Sequence, residues 1–322
     1  MMSGIWFALI LLCLLMYVVL DGYDLGIGIA TLLERDARHR FEMLEQVALT
    51  WDGNETWLVL LGVSLWAGFP PAFGTLLPHA YLPLVVMLFS LIVRGVAVEM
   101  ASQAPPGIGW QRAFGTASLT ASLAQGAVLG TLTGGHHVWF SVLTASAVAC
   151  GYLALGCAYL KGKTTSGVRA RSTRAGIVAT LLATALGTAC LVTVGSTHAP
   201  LNLHGPGRTI AFAGLLLFAT VGAVTALVTL RSAASDTLPF AALATATVAL
   251  ALAVVVARYP VILPPALTVS GSVAPRTTMA FLAVGIGLNM PLILFYNWFA
   301  HHAFRGGRHG APDGGLAPQA QE

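Results

Sequence analysis

Charged side chains are scarce in this sequence. Asp, Glu, Lys and Arg together make up 9% of the 322 residues, and 57% are hydrophobic. Soluble domains carry about 25% charged residues, so this composition excludes an ordinary soluble domain and predicts an integral membrane protein. No cluster of basic residues is interleaved with aromatics, and the net charge of +4 reflects scarce acids. Nucleic acid is therefore not expected as a partner.

Cysteine is also rare, and its spacing carries no metal-binding or redox pattern. The four cysteines, Cys13, Cys150, Cys157 and Cys190, all fall in apolar segments without CxxC spacing. We interpret them as small buried hydrophobic side chains rather than as a disulfide or a metal site.

The alternating ten-residue pattern of a membrane β-barrel is absent, and open sheet edges cannot lie in lipid. Long apolar segments instead predict an all-α integral membrane protein with nine transmembrane helices. We place these helices near 5–30, 52–72, 78–99, 112–133, 138–160, 174–195, 208–230, 237–257 and 279–300.

Lys and Arg are distributed unevenly between the two sides of the predicted helices. With the N-terminus outside, only Arg208, Arg258 and Arg276 lie on the outer side, and the other thirteen of the sixteen lie inside. Because positive residues favour the cytoplasmic side, we predict an outer N-terminus and a cytoplasmic C-terminus.

Acidic residues are missing from the predicted membrane segments after Glu99. The apolar run from Ile5 to Leu20 spans only about 24 Å, whereas a bilayer core needs about 30 Å. The first helix therefore carries Asp21, and by our prediction Asp24, below the membrane surface. Ionisable groups at that depth mark an ion path or a buried pair.

Two acidic motifs flank the turn between the first two helices: DGYDLGIG at 21–28 and WDGNETW at 51–57. Gly22 and Gly26 form a GxxxG pair, which predicts close approach of another helix. The acids Asp52 and Glu55 admit two explanations, a capping box at a helix start or a functional pair.

Arg94 and Glu99 end the third predicted helix. We expect Arg94 to pair with one of the carboxylates, because an unpaired guanidinium in lipid is costly. Structural pairing and a tuned proton site both remain open at this point.

All nine histidines lie in predicted loops or at helix ends. A haem within the bilayer needs an axial His, Met, Cys or Tyr on a helix that faces it. Mid-helix Met87 and the cysteines show no paired arrangement, so we infer no haem or metal ligand from this chain.

Three motifs in this order, DGYDLGIG (21–28), WDGNETWL (51–58) and RGVAVE (94–99), resemble subunit II of the cytochrome bd-type quinol oxidases, including the cyanide-insensitive branch. Segments 124–130, 151–156 and 259–265 extend the resemblance over nearly the whole chain. The chain departs from some members at Thr50, where they have His, which removes one proton carrier.

The resemblance implies a domain layout. Residues 1–135 would form a first four-helix bundle with the acidic motifs, and 136–260 a second four-helix bundle. Residues 261–305 would supply an outer loop and a peripheral ninth helix, followed by a disordered cytoplasmic tail at 306–322. The implied location is a bacterial cytoplasmic (inner) membrane.

The resemblance also implies cofactors and partners. The chain alone would bind no cofactor and would not be catalytic; subunit I would carry haem b and haem d and oxidise quinol. Membrane lipid, a structural quinone and a small third subunit are further candidate partners.

Residue roles follow from the same resemblance. Asp24 and Asp52 would relay cytoplasmic protons toward the oxygen-reducing haem of the partner, supported by Asp21, Glu55, Arg94 and Glu99. Two other functions remain open, a purely structural scaffold and a proton-coupled transporter. The transporter would require inverted repeats with broken helices, and the second half has no acid-bearing counterpart.

Overall fold

The computed structural model describes residues 2–103, 108–134, 137–196, 202–232, 235–263 and 267–303, and the tail predicted at 306–322 lies outside them. Within these residues, the chain forms eleven α-helices and one two-stranded hairpin. The helices are α1 Met2–Leu33, α2 Ala37–Glu45, α3 Trp51–Gly68, α4 Pro70–His79, α5 Tyr81–Gln103, α6 Ile108–Gly134, α7 Val138–Lys161, α8 Ser166–Ser196, α9 Pro206–Arg231, α10 Leu238–Arg258 and α11 Arg276–Ala303.

In the part of the chain that the structure describes, seven helices are long and apolar enough to cross a membrane, and the bent pair α3–α4 raises the number to eight if it forms one span. The seven are α1, α5, α7, α8, α9, α10 and α11. Helix α6 has 27 residues but is rich in Ser, Thr and Gly, and its composition does not mark it as a span. The all-α membrane fold is confirmed, whereas nine spans are not established by length and composition.

The helix predicted at 52–72 is broken in the structure. Helix α3 begins at Trp51 and ends at Gly68, and α4 begins at Pro70 with its axis turned by 118°. The consecutive prolines Pro70 and Pro71 explain the break, because each lacks an N–H donor and clashes with the preceding turn. Tyr81, rather than residue 78, begins the next helix.

A small β-hairpin covers this break, an element that the sequence did not predict. Strand β1 (Val261–Leu263) pairs antiparallel with β2 (Leu267–Thr268). The chain after β2 packs with Phe69 in one apolar cluster, and the N–H of Ala274 donates to the carbonyl oxygen of Gly68 at 2.9 Å. The break between α3 and α4 therefore packs against the loop that follows β2.

Helix α1 lies at the centre of the fold and packs against α3, α6 and α7. A Cβ at Gly26 would lie 1.7 Å from the carbonyl oxygen of Tyr152, and one at Gly156 would lie 2.3 Å from the backbone nitrogen of Ile27. Only glycine allows α1 and α7 to approach this closely. The close approach predicted from Gly22 and Gly26 is confirmed, and α7 is the partner helix.

Candidate functional site

A buried guanidinium on α5 joins carboxylates of α1 and α3. Arg94 on α5 donates through Nη1 to Oδ1 of Asp21 at 2.5 Å and through Nη2 to Oε2 of Glu55 at 2.6 Å. Arg94 and Asp21 are fully buried, and the Glu55 side chain is 24% exposed. Trp51 lies over the guanidinium, 5.9 Å from ring centroid to Cζ. The predicted pairing of Arg94 is confirmed, with two carboxylates instead of one.

A second polar group lies beside this ion pair. The Asn54 side chain donates to Oδ2 of Asp24 at 2.8 Å and to the hydroxyl of Tyr23 at 3.0 Å. Asp24 and Asn54 are fully buried, and Oδ1 of Asp24 makes no hydrogen bond within the described chain. Asp24 therefore has a neutral amide as its donor, whereas Asp21 has a cation.

Local geometry explains why these side chains meet. Asp21 and Asp24 are three residues apart on α1, so their side chains lie on neighbouring parts of one helix face. Helix α3 returns along α1 and brings Asn54 and Glu55 opposite them. The segment that contains α2 connects the end of α1 to the start of α3 and so makes this return possible.

Asp52 lies outside the buried cluster. It is exposed in the first turn of α3, one turn before Glu55, where an anion is favourable to the helix dipole. The capping-box explanation is wrong, because the N-cap is Thr50 and it makes no side-chain capping bond. With Asp52 as the N-cap the helix would begin at Gly53, whereas it begins two residues earlier, at Trp51.

Glu99 is exposed on α5, one helical turn after Gly95. Glu99, Glu55 and Trp51 line a groove of about 440 Å³ along α5. The six predicted site residues therefore fall into a buried group (Asp21, Asp24, Arg94), an edge residue (Glu55) and two exposed acids (Asp52, Glu99).

Three further polar side chains extend the site and were not predicted from the sequence. The Tyr152 hydroxyl on α7 donates to Oε1 of Gln125 on α6 at 2.8 Å, and Nε2 of Gln125 donates to the Tyr17 hydroxyl at 2.7 Å. Tyr17 neighbours the Asp21 carboxylate one turn along α1. The four-residue spacing of Tyr17 and Asp21 in the sequence could have predicted that these two side chains are neighbours. The contact with Gln125 joins two different helices, and no local pattern predicts it.

A separate carboxylate, Glu34, follows the C-terminal end of α1. Oε1 of Glu34 accepts from the backbone N–H groups of Arg35 at 2.7 Å and Asp36 at 3.0 Å and forms an ion pair with Arg171. Nδ1 of His39 lies 3.7 Å from Oε2. Burial raises the pKa of Glu34, but these donors and cations outweigh it and hold the pKa below its ordinary value.

The described residues contain no clustered set of metal ligands. No three His, Cys, Asp or Glu side chains among them cluster as metal ligands. The buried tyrosines, which could serve as axial ligands, are engaged with one another or with amides: Tyr17 and Tyr152 bond Gln125, and Tyr23 stacks on Tyr159 at 4.5 Å. We therefore derive no step through a haem held by this chain, and the haem-free assignment stays a prediction.

The fold and this site define an α-helical membrane protein that buries a carboxylate–guanidinium network at the meeting point of three helices. Residues 2–304 match the family model of cytochrome bd terminal oxidase subunit II. The chain belongs to this family, and the resemblance seen in its three motifs is confirmed.

Individual relatives match over shorter stretches. Cytochrome bd ubiquinol oxidase subunit 2 of Bacillus subtilis (strain 168) is 31% identical over 132 residues, which is 41% of this chain and 39% of the relative. Cytochrome bd-I ubiquinol oxidase subunit 2 of Escherichia coli (strain K12) is 33% identical over 100 residues, 31% of this chain and 26% of the relative. The chain thus spans, in these matches, less than half the length of either curated relative.

A solved structure shows the same fold over almost the entire chain. A chain of the bd oxidase from Geobacillus thermodenitrificans superposes with a TM-score of 0.80 at 15% identity and covers 95% of this chain and 99% of its own length. At that identity the likeness establishes the arrangement of helices and nothing about individual side chains.

Proposed function

We propose that this chain is the haem-free subunit II of a bd-type quinol:oxygen oxidoreductase and assembles with a haem-bearing subunit I in a bacterial cytoplasmic membrane. Family membership supports the complex, and the buried network around Arg94 supports a part in moving protons. The partner would hold haem b and haem d, oxidise quinol and reduce O₂ to water.

Charge balance is the observation that carries the proton-transfer role. Asp21, Asp24 and Glu55 are three carboxylates around one guanidinium, so full ionisation would leave two uncompensated negative charges at membrane depth. Burying unpaired charge is expensive, and the cluster lowers that cost by holding protons. Among the described residues Asp24 is hydrogen-bonded to no cation, and we assign the mobile proton to it.

The positions along the helices order the relay. Asp52 is exposed at the start of α3 and would take a proton from the cytoplasm; Glu55 follows one turn deeper beside Arg94. Asp24 would then pass it toward the haem of the partner, while Asp21 supports the relay and Arg94 holds the carboxylates in place. Glu99, on the groove beside Glu55, would support entry from the same face.

The same proposal includes the membrane layout. Nine spans, an outer N-terminus and two four-helix bundles at 1–135 and 136–260 with a peripheral ninth helix would place the acidic motifs at the inner face. The Lys and Arg distribution supports this orientation. The described helices provide nine elements of 18 residues or more, as the layout requires.

The first experiment purifies the tagged chain from its native membrane and records a reduced-minus-oxidised spectrum. We expect b- and d-type haem bands together with a co-purifying larger membrane subunit. A colourless protein that purifies alone would refute the oxidase assignment and favour a proton-coupled transporter.

The second experiment tests Asp24→Asn in the complex. We expect turnover to fall by about tenfold or more, because an amide cannot exchange the proton that a carboxyl does, while the haem spectrum stays unchanged. Asp236→Asn is the matched control, since Asp236 is a loop carboxylate half-exposed at the surface beside Arg169. Haem and activity lost together would instead show that Asp24 serves assembly, as a purely structural scaffold requires.

A further inference from the structure

A hydrogen-bonded chain of three side chains links α7 and α6 to the acidic site on α1. Tyr152 donates to Gln125 at 2.8 Å, and Gln125 donates to Tyr17 at 2.7 Å. Tyr17 and Tyr152 are buried, and Gln125 is half-buried. The proton relay proposed above does not use these residues, although they end at Asp21.

The donors and acceptors in this chain have a fixed order. A glutamine side chain donates only through its nitrogen and accepts only through its oxygen. Since Oε1 of Gln125 accepts from Tyr152, Nε2 faces Tyr17, and the Tyr17 hydroxyl is the acceptor in that bond. The hydrogen of the Tyr17 hydroxyl is therefore directed away from Gln125, and its polar neighbour one helical turn on is Asp21.

Asp21 has an acceptor available for that hydrogen. Its Oδ1 receives Arg94 at 2.5 Å, and its Oδ2 is buried without a hydrogen-bond partner in the described chain. A buried acceptor without a donor is costly, and a hydroxyl that donates to it removes the cost. Asp24, in contrast, receives the neutral amide of Asn54, lies beside the Tyr23 hydroxyl and is bonded to no cation among the described residues.

We propose that Tyr17 is a positioning residue: oriented by Gln125, it donates its hydroxyl proton to Asp21, keeps that carboxylate ionised and so leaves the mobile proton on Asp24. The physical reason is that a hydrogen bond donated to a carboxylate favours its charged form. Asp21 then has a cation and a hydroxyl as donors, whereas Asp24 has the Asn54 amide and the neighbouring Tyr23 hydroxyl but, among the described residues, no bonded cation. This inference rests on the proton relay proposed above, and it assigns the protonation states within it.

The test compares Tyr17→Phe with the wild-type complex. The substitution keeps the ring and removes one hydroxyl. We expect the complex to retain its haem spectrum. The acid limb of its turnover rate plotted against pH should move to higher pH by about one unit, because Asp21 then takes up a proton more readily. Tyr259→Phe is the control, since Tyr259 is 42% exposed at the opposite end of the fold, and its profile should not move.

A second variant covers failure of the first to assemble. Gln125→Met removes the donor that orients Tyr17 and keeps the side-chain length, so the acid limb should move in the same direction by a smaller amount. A residue that only supports packing would lower the yield of complex without moving the profile. The inference is overturned if the Tyr17→Phe complex assembles and its acid limb does not move. If the Tyr17→Phe complex does not assemble, an unmoved acid limb in the Gln125→Met complex overturns it.

Infrared difference spectroscopy reads the protonation state without relying on turnover. In the wild type, the absorption of a protonated carboxyl should disappear with Asp24→Asn; in the Tyr17→Phe background, part of it should remain because Asp21 carries it. Complete loss in both backgrounds refutes the inference. If Asp24→Asn keeps full turnover but the infrared pattern is as expected, the relay fails and the role of Tyr17 stands.

Discussion

Removal of the Arg94 guanidinium tests how strongly the acidic cluster depends on it. Arg94→Met keeps an unbranched chain of comparable length and leaves Asp21 fully buried opposite no cation. Breaking a buried ion pair from one side costs about 3–5 kcal/mol. For a chain of this size that free energy lowers the thermal midpoint by roughly 6 °C or more.

The assay is thermal unfolding of the purified complex at neutral pH, with Arg174→Met as the control because Arg174 is exposed on α8. The double variant Asp21→Asn with Arg94→Met should recover part of the loss, since the unpaired charge is gone. A coupling of about 1–3 kcal/mol between the two sites is expected. An Arg94→Met midpoint within 2 °C of the control (~1 kcal/mol), or strictly additive effects, would refute the buried-pair reasoning.

Two further predictions concern the packing of α1 and the carboxylate at its C-terminal end. Gly26→Ala should lower the free energy of unfolding by about 1–3 kcal/mol or abolish assembly, because the new Cβ would lie 1.7 Å from the Tyr152 carbonyl oxygen. Gly151→Ala on the facing helix is the control, since its Cβ meets nothing within 4 Å and should be neutral. Equal yields of the two complexes would contradict this prediction. The backbone N–H groups of Asp36 and Arg35, followed by Arg171, hold the pKa of Glu34 below its ordinary value of 4.5. These contacts to the ionised carboxylate stabilise the fold above that pH, and their contribution is lost as pH falls through the lowered value. The thermal midpoints of wild type and Glu34→Gln should therefore differ at pH 7 and converge in acid, and a difference that grows below pH 4.5 would contradict the assignment.

The break between α3 and α4 shows where local sequence information ends. Pro70 and Pro71 predict a disturbed helix at that point. The 118° turn at Phe69 depends on the loop after β2, which packs against it and supplies Ala274 to the Gly68 carbonyl oxygen. That partner lies about two hundred residues further along the chain, and no local pattern connects the two.

The acidic site divides in the same way. Helix length alone predicts that Asp21 and Asp24 lie below the membrane surface, and the cost of a bare guanidinium predicts that Arg94 is paired. Spacing along one helix could not show that Asn54 hydrogen-bonds to Asp24 while Arg94 pairs with Asp21 and Glu55. Nor could it separate exposed Asp52 from the buried acids, because all are carboxylates in similar motifs.

The sequence by itself determined the class of protein, the helical architecture and the family, because scarcity of charge, helix length and short motifs are properties of contiguous residues. The tertiary structure alone decided which carboxylate meets the cation and that Tyr152 and Gln125 lead to Tyr17 beside Asp21. These contacts join α1, α3, α5, α6 and α7, and their geometry is set by how closely the helices pack. The glycines at the crossing of α1 and α7 permit that packing, but only the folded chain shows which helix uses them.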